Sequence, residues 1–212
     1  KEWDIRVVIP NYTCIPWDFR SQFSYVTHFY MSCGSYIRDK YVGVLEYELD
    51  GITYYFIDNE EYFNCQVPYG DIRYDIEKSM LPLIGFQPDI VHCHDWQTGL
   101  IPVFLKNEFM GDPFFWSMKS ILTIHNLKFQ GVWDIETLEG CTGFPKDLFT
   151  PDKLEYKKNG NMLKGGLVYA DYITTVSDSY AIEIQSPEYG EGLNGLLYAR
   201  RLDMQGIVNG ID

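Results

Sequence analysis

The sequence predicts a three-layer α/β sandwich, in which helices cover a parallel β-sheet, with an antiparallel β-hairpin added to it. Three observations lead to this fold class. Short β-rich runs alternate with helical patterns from residue 88 onward, as is typical of a parallel sheet covered on both faces. A β-rich run, Ile5–Ile9, stands near the start of the chain and is stopped by Pro10-Asn11. An Asp-Gly pair separates two further β-rich runs, which is a strong hairpin signal.

The first third of the chain accounts for the hairpin. Some of its β-rich runs contain aromatic and β-branched residues, and others alternate between apolar and polar residues. These runs are Ile5–Ile9, Phe23–Tyr30, Val42–Glu48 and Ile52–Ile57. Asp50-Gly51 lies between the last two runs and predicts the tight turn of an antiparallel pair. Residues 59–85 carry isolated Gly and Pro and little periodicity, so the sequence pattern assigns no element type to them.

The rest of the chain alternates between strands and helices. The predicted strands are Asp89–Cys93, Ser120–Ile124, Tyr172–Val176 and Ile207–Val208. Predicted helices cover Thr98–Phe109, Met162–Ala170 and a segment that runs to Gln185 after an N-cap at Ser177 or Asp178. Pro187–Leu197 is a Gly-rich loop that runs into a short helix. Because no internal repeat or low-complexity segment divides the chain, we expect one domain over 1–212.

Composition and charge argue against several classes of partner. The net charge is −13, and the acidic residues are spread along the chain, which argues against nucleic acid and against a membrane surface. The sequence contains neither an apolar run of about 18 residues nor a signal peptide, and so predicts a soluble protein. The five cysteines form no Cys-x-x-Cys pair, which favours free thiols in a reducing cytoplasm. The 17 tyrosines and 5 tryptophans slightly favour a carbohydrate ligand.

Polar residues follow the first strand of the alternating region, where ligands of parallel α/β sheets bind. His92 and His94 are two residues apart and face the same side of a strand. With Asp95 they form a His-x-His-Asp pattern that could bind a metal, although the sequence provides no further cluster to complete the ligand set. Alternatively, His92 is hydrogen-bonded within the sheet and Asp95 or Thr98 caps the next helix. In a third interpretation, His94 hydrogen-bonds a neutral sugar beside Trp96.

A second polar loop follows the strand Ser120–Ile124. His125 and Asn126 come first, and Gln130 and Gly131 follow in the same loop. An asparagine amide both donates and accepts hydrogen bonds, as a polyhydroxyl ligand requires, but Asn126 could equally be a turn residue and Gly131 a backbone requirement. Because both histidine-bearing strand ends should open onto one crevice, the sequence predicts a single site there.

The later loops carry weaker signals. Ser177-Asp178-Ser179 is most simply an N-cap, and solvated loop charges account for Glu188 and Glu191. The Gly-rich loop has neither Gly-x-Gly-x-x-Gly spacing nor a Gly-Lys-Ser/Thr end, and no Gly-x-Ser-x-Gly elbow is present. The chain therefore shows no complete active site of its own.

Together these segments resemble the starch/glycogen synthase family, nucleotide-sugar glucosyltransferases of the two-domain GT-B architecture. The resemblance rests on PDIVHCHDWQTGLIPVFL, ILTIHNLKFQG, NMLKGGLVYADYITTVSDSYAIEIQSPEYGEGLNGLL and IVNGID, with support from IRVVIPNY, VTHFY and GITYYFIDNEEYF. It covers nearly the whole chain in order, and YADYITTVS followed by PEYGEGL is its most distinctive part. It implies a Rossmann-like sheet of the N-terminal GT-B domain, in agreement with the strand–helix pattern.

The resemblance also implies an activity: retaining transfer of glucose from ADP-glucose to the non-reducing end of an α-1,4-glucan, in the cytoplasm and with neither metal nor other cofactor. His94 matches the histidine that contacts the donor glucose and is the expected catalytic residue. A neutral imidazole there hydrogen-bonds a sugar hydroxyl while positive charge develops at the anomeric carbon. The other matched residues line the cleft, hold its loops or mark the crossing into a second domain, and they are Asp95, Trp96, His125, Asn126, Gln130, Asn209 and Gly210.

The sequence departs from the family pattern in three places. No strand with a Lys-x-Gly-Gly loop precedes Ile5–Ile9, residues are expected to be missing near 76–80, and the chain ends at Asp212 where a second domain would begin. We therefore expect 1–212 to be an acceptor-side N-terminal domain without its nucleotide-sugar domain, and inactive alone. The alternatives are a non-catalytic glucan-binding domain and a metal-dependent hydrolase built on His92, His94, Asp95 and His125.

Overall fold

The structure of this chain, a computed structural model, describes residues 3–63 and 76–210. Residue contacts divide the chain into two compact units, Lys1–Phe86 and Gln87–Asp212. Each unit has a sheet of its own. The prediction of one domain, and that of residues missing near 76–80, stay predictions; residues 64–75 lie outside the described residues. Within the described ranges, no helix has the length and apolar character needed to cross a membrane.

The first unit is built on a four-stranded sheet. Its elements are β1 (Arg6–Pro10), α1 (Trp17–Arg20), β2 (Ser24–Cys33), β3 (Ile37–Leu49), β4 (Ile52–Asp58), α2 (Glu60–Phe63) and α3 (Ile76–Leu83). The strand order is β1-β4-β3-β2, with β1 parallel to β4 and the other pairs antiparallel. Asp50 and Gly51 join β3 to β4 and both have positive φ, as a two-residue hairpin turn requires. The predicted hairpin is confirmed, but its strands pair with β1 and β2 in this sheet and are not added to the parallel sheet that contains the strand Ile90–His94, which corrects that part of the prediction.

The second unit contains a parallel sheet and a small antiparallel one. Its strands are β5 (Ile90–His94), β6 (Lys119–Ile124), β7 (Val132–Trp133), β8 (Glu155–Tyr156), β9 (Asn159–Asn161), β10 (Tyr172–Thr175) and β11 (Met204–Gly206). The parallel sheet has the order β11-β10-β6-β5, and the small sheet has the order β7-β9-β8. All four carboxyl ends of the parallel strands therefore lie at one edge, which we call the carboxyl edge.

Helices pack against the parallel strands and bury their apolar residues. They are α4 (Ile101–Lys106), α5 (Ile135–Thr142), α6 (Met162–Tyr169), α7 (Asp178–Glu183) and α8 (Asn194–Ala199). The core of this unit includes Leu122, Ile124 and Ile173 from the strands and side chains from α6 and α8, all without solvent exposure. Helix α7 begins after Ser177, whose Oγ accepts a hydrogen bond from the main-chain N–H of Tyr180 at 3.1 Å, so the predicted N-cap is confirmed.

Two element predictions are corrected by the structure, and elements are found in one region that the sequence left unassigned. The last strand is Met204–Gly206 and not Ile207–Val208, because that apolar pair lies at the surface, 54% and 71% exposed. The helix predicted over Thr98–Phe109 is limited to α4, after a 3-10 turn at Trp96–Thr98. Region 59–85, to which the sequence pattern assigned no element type, contains α2 and α3 among its described residues.

Candidate functional site

The two histidine-bearing strand ends meet at the carboxyl edge. Strands β5 and β6 are parallel neighbours, and His94 pairs in register with Thr123. His94 is the last residue of β5 and His125 directly follows β6, and both side chains are exposed. Nδ1 of His94 lies 3.0 Å from Nε2 of His125, within hydrogen-bond distance. The sequence prediction that both strand ends open onto one site is supported by this geometry.

The main chain at His94 is held by two threonines. The hydroxyl of Thr98 accepts a hydrogen bond from the N–H of His94 at 2.5 Å and donates to its carbonyl oxygen at 2.8 Å. The next N–H, that of Asp95, donates to the carbonyl oxygen of Thr123 at 2.9 Å. Thr98 therefore fixes the strand end and does not cap α4, which corrects one of the sequence interpretations.

Asp95 joins the two loops of the site. Its backbone lies at φ 54° and ψ −163°, a region that residues other than glycine rarely occupy and that marks functional sites when it occurs. Its carboxylate accepts hydrogen bonds from the N–H groups of His125 at 2.7 Å and Asn126 at 3.3 Å. It makes no cap bond to the turn that follows it, so the capping interpretation is wrong for Asp95 as well.

His92 is bonded within the sheet, as one interpretation predicted. Its Nε2 lies 2.6 Å from Oγ1 of Thr123, which lies 2.6 Å from Oγ1 of Thr174 in β10. The rings of His92 and His94 are 4.3 Å apart between centroids, so the two side chains do share a face. The bonds of Thr123 and Thr174 were not predictable from the sequence, because the alignment of these threonines with His92 depends on the register of three strands.

The surroundings of His92 and His94 lower the pKa of both side chains. Partial burial, together with the rings of His92 and His125, lowers the pKa of His94 below its ordinary value of 6.5, against the opposing effect of Asp95. Partial burial and His125 also lower the pKa of His92. In the contact between Nδ1 of His94 and Nε2 of His125, one nitrogen donates its N–H and the other accepts. Each ring then has one further nitrogen, Nε2 in His94 and Nδ1 in His125.

Trp96 packs against the backbone of the second loop. Gly131 has φ 61°, and a Cβ at that position would lie 2.5 Å from Cε3 of Trp96 and 3.0 Å from Sδ of Met162. A side chain therefore has no room there, and the interpretation of Gly131 as a backbone requirement is confirmed. Asn126 is exposed, and its Oδ1 accepts a hydrogen bond from the N–H of Lys128 at 3.1 Å, which is the turn role that the sequence left open.

The remaining predicted residues, Gln130, Asn209 and Gly210, take no part in the contact between His94 and His125. Gln130 is only 9% exposed, and its amide bonds to other protein groups and not to the open edge. Asn209 and Gly210 are exposed and follow β11, three strands from β5, a separation of about 14 Å at the usual strand spacing. The contacts of all three with substrate stay predictions.

The metal interpretation gains no support from this geometry. In the described ranges no group of three or more His, Cys, Asp or Glu side chains is arranged to hold a metal ion. The Asp95 carboxylate binds main-chain N–H groups, and His94 uses one ring nitrogen on His125. This arrangement offers two further ring nitrogens, Nε2 of His94 and Nδ1 of His125, for hydrogen bonds at an edge that main-chain bonds hold in place.

Comparison with known proteins defines the class to which this fold and edge belong. A solved structure described as the catalytic domain of starch synthase IV from Arabidopsis thaliana, bound to ADP and acarbose, superposes with a TM-score of 0.80 at 24% sequence identity. The alignment covers 99% of this chain and 45% of that chain. The predicted α/β fold, with its parallel sheet, is therefore confirmed as that of a starch synthase catalytic domain.

Sequence relatives place the chain more narrowly. The glycogen synthases of Lachnospira eligens and Lachnoclostridium phytofermentans are each 54% identical to it, over 220 and 221 residues. Each alignment covers 100% of this chain and 46% of the relative, so the chain spans about half the length of these proteins. The family described as the starch synthase catalytic domain matches residues 1–199. The chain belongs to this starch/glycogen synthase family.

Proposed function

We propose that this chain is the acceptor-side domain of a glucosyltransferase that moves glucose from ADP-glucose to the non-reducing end of an α-1,4-glucan with retention of configuration. The structural observation that carries the proposal is the hydrogen-bonded pair His94–His125 at the carboxyl edge. Family membership and the 54% identity to glycogen synthases supply the reaction class. The acarbose and ADP of the plant structure fit the proposed glucan and nucleotide-sugar substrates.

His94 is proposed to contact the donor glucose. Partial burial and the neighbouring rings lower its pKa, so the imidazole is neutral at pH 7 and can hydrogen-bond a sugar hydroxyl through Nε2. An imidazolium would repel the positive charge that develops at the anomeric carbon during transfer. The neutral ring therefore orients the sugar without opposing the transition state.

Asp95 and His125 are proposed to keep His94 in place. The Asp95 carboxylate fixes the main chain at His125 through its 2.7 Å bond, and the His125 ring fixes Nδ1 of His94. Such a preorganised site needs no reorganisation at the moment of reaction. We also propose that Trp96 and Asn126 shape the cleft wall, and that Asn209 and Gly210 mark the passage to a second domain.

Catalysis is proposed to need the part of the protein that this chain does not span. The relatives are about twice its length, and we propose that the remainder binds the nucleotide while residues 1–212 bind the acceptor. The enzyme is proposed to act in the cytoplasm, where its nucleotide-sugar donor is made.

The proposal is tested by assaying glucosyl transfer to glycogen with the full-length protein, ADP-glucose and UDP-glucose being supplied in parallel. Transfer from ADP-glucose that builds α-1,4 linkages, with an α-configured product, is the expected result. Absence of transfer from both donors contradicts the proposal and favours the alternative of a glucan-binding domain. Preference for UDP-glucose contradicts the donor assignment alone.

A further inference from the structure

The Gly-rich loop, residues 187–193, is attached to the site through one carbonyl oxygen. The main-chain oxygen of Glu191 accepts a hydrogen bond from Nε2 of Gln130 at 3.2 Å and another from the Tyr156 hydroxyl at 3.4 Å. Gln130 belongs to the loop that begins with His125. The two loops are therefore joined by a side chain whose amide is buried, and not only by proximity.

The backbone of the Gly-rich loop needs such an anchor. Glu191 has φ 47°, a left-handed conformation that is unfavourable for residues other than glycine. Gly192 follows with φ 80°, and a Cβ there would lie 1.9 Å from the Tyr156 hydroxyl oxygen. Gly192 adopts its conformation at no cost, whereas a left-handed residue such as Glu191 persists where its surroundings hold it, and the two bonds to the Glu191 carbonyl contribute to this here.

The oxygen atom of the Gln130 side-chain amide fixes the orientation of that amide. Its Oε1 accepts a hydrogen bond from Nδ2 of Asn161 at 2.6 Å. Asn161 is completely buried, and its own Oδ1 caps α6 by accepting from the N–H of Lys164 at 2.8 Å. Because Asn161 requires an acceptor on that side, Nε2 of Gln130 must face the carbonyl oxygens of Leu127 and Glu191. The amide has no donor or acceptor group directed to the open edge.

We propose that Gln130 is a positioning residue, which fixes the Gly-rich loop relative to His125 and does not itself contact substrate. This inference deepens the proposed function and rests on it for its catalytic consequence. The loop presents Tyr189, which is 52% exposed, and the exposed Glu188 from a fixed backbone. Releasing the loop weakens binding of the acceptor glucan more than it slows transfer from a saturated enzyme.

The test is hydrogen exchange of the purified protein with Gln130→Met, which has similar volume and no amide. We expect amides of residues 187–193 to exchange on the order of tenfold faster or more, while β6 and β10 keep their protection. Gln185→Met is the matched control, because the Gln185 amide also donates to a main-chain carbonyl, that of Ala181 at 2.8 Å, without joining two loops. Tyr156→Phe removes only the longer bond and should give a smaller increase.

Exchange needs no catalytic activity, so its result stands whether or not the proposed function holds. Unchanged exchange of residues 187–193 in Gln130→Met, or equal acceleration throughout both units, overturns the inference. In a protein that transfers glucose, the same variant should raise the KM for glycogen several-fold and leave kcat within about twofold. A fall in kcat with unchanged KM would instead indicate that Gln130 contacts the reacting sugar.

Discussion

An exposed histidine bonds through Nδ1 in each of two regions of the chain, the carboxyl edge of the parallel sheet and the tyrosine-bearing face of the hairpin sheet. On the hairpin face, Nδ1 of His28 bonds the Tyr25 hydroxyl three residues earlier in the same strand. Its ring also lies 5.7 Å from that of Tyr41 and 6.2 Å from that of Tyr30. At the carboxyl edge, Nδ1 of His94 bonds His125, which lies 31 residues away and directly after the next strand.

The two histidines differ in what fixes them. His28 is surrounded by side chains that are themselves exposed, 59% for Tyr25 and 65% for Tyr30. The main chain of His94 is bonded to Thr98, and the Asp95 carboxylate holds the main chain of its partner His125. Surface side chains rearrange easily, whereas a network tied to the backbone is preorganised for chemistry. Because both histidines are exposed, the difference in their support is the reason for proposing His94, and not His28, as the functional one.

The largest structural effect on the edge is expected from Asp95→Ala. This change removes the acceptor for the N–H groups of His125 and Asn126 and leaves a strained backbone without its partner. We expect transfer by the full-length protein to fall about 100-fold, since misplacement of a catalytic group by 1 Å has effects of that size. Steady-state assays with glycogen and ADP-glucose measure it. Activity within twofold of the parent would show that Asp95 does not organise the edge.

The opposite edge of the same sheet offers a second contrast, in which charge serves stability. Asp171 precedes β10, and its carboxylate bonds Lys106 at 2.8 Å and the N–H of Ser120 at 2.9 Å. Partial burial raises the pKa of Asp171, but these bonds and Lys119 outweigh it and lower the pKa to about 2. Asp171→Asn should reduce the free energy of unfolding by about 1–2 kcal/mol after allowance for solvent screening.

Urea denaturation at pH 7 measures this loss. Because the folded pKa lies below the ordinary value of 3.8, the stabilisation is complete above that value and is lost as the pH falls toward about 2. The difference between the parent and Asp171→Asn should therefore shrink over that range. A difference that stays constant down to pH 2 would exclude the ionised carboxylate as its cause.

A smaller effect is expected on the pH dependence of stability, which the titration of His94 at the carboxyl edge changes. The pKa of His94 is below 6.5 in the folded protein, so the unfolded chain binds the proton more readily. The stabilisation by neutral His94 is present above pH 6.5 and is lost as the pH falls through its folded pKa. We expect more than half of the His94 rings to be neutral at pH 6.5, and NMR titration of the imidazole nitrogens tests this. A midpoint at or above 6.5 would contradict the proposed neutral contact.

The sequence predicted those features that depend on local pattern. The Asp50-Gly51 turn was identifiable because its backbone requirement is local, and the strands before His94 and His125 because buried parallel strands are apolar runs. The edge could be predicted because carboxyl ends of parallel strands meet.

Features that depend on distant contacts were not predictable in this way. Thr98 has the position of a helix cap but bonds back to His94. Gln130 has the chemistry of a ligand contact, yet Asn161 and Glu191 enclose its amide. The apolar pair Ile207-Val208 was predicted to be the last strand, but the neighbouring Met204–Gly206 is the segment that pairs with β10. In each case a tertiary partner decides between two roles that the same side chain can fill.

The most direct measurement is glucosyl transfer from ADP-glucose to glycogen by the full-length protein carrying His94→Ala, beside the same protein carrying His28→Ala. Both changes remove an exposed histidine, and only the first removes one that is tied to the carboxyl edge. We predict that His94→Ala lowers kcat about 100-fold or more, within the range found for loss of one positioned hydrogen-bonding group, while His28→Ala stays within twofold. Equal activity of the two variants would contradict the assignment of the edge as the site of transfer.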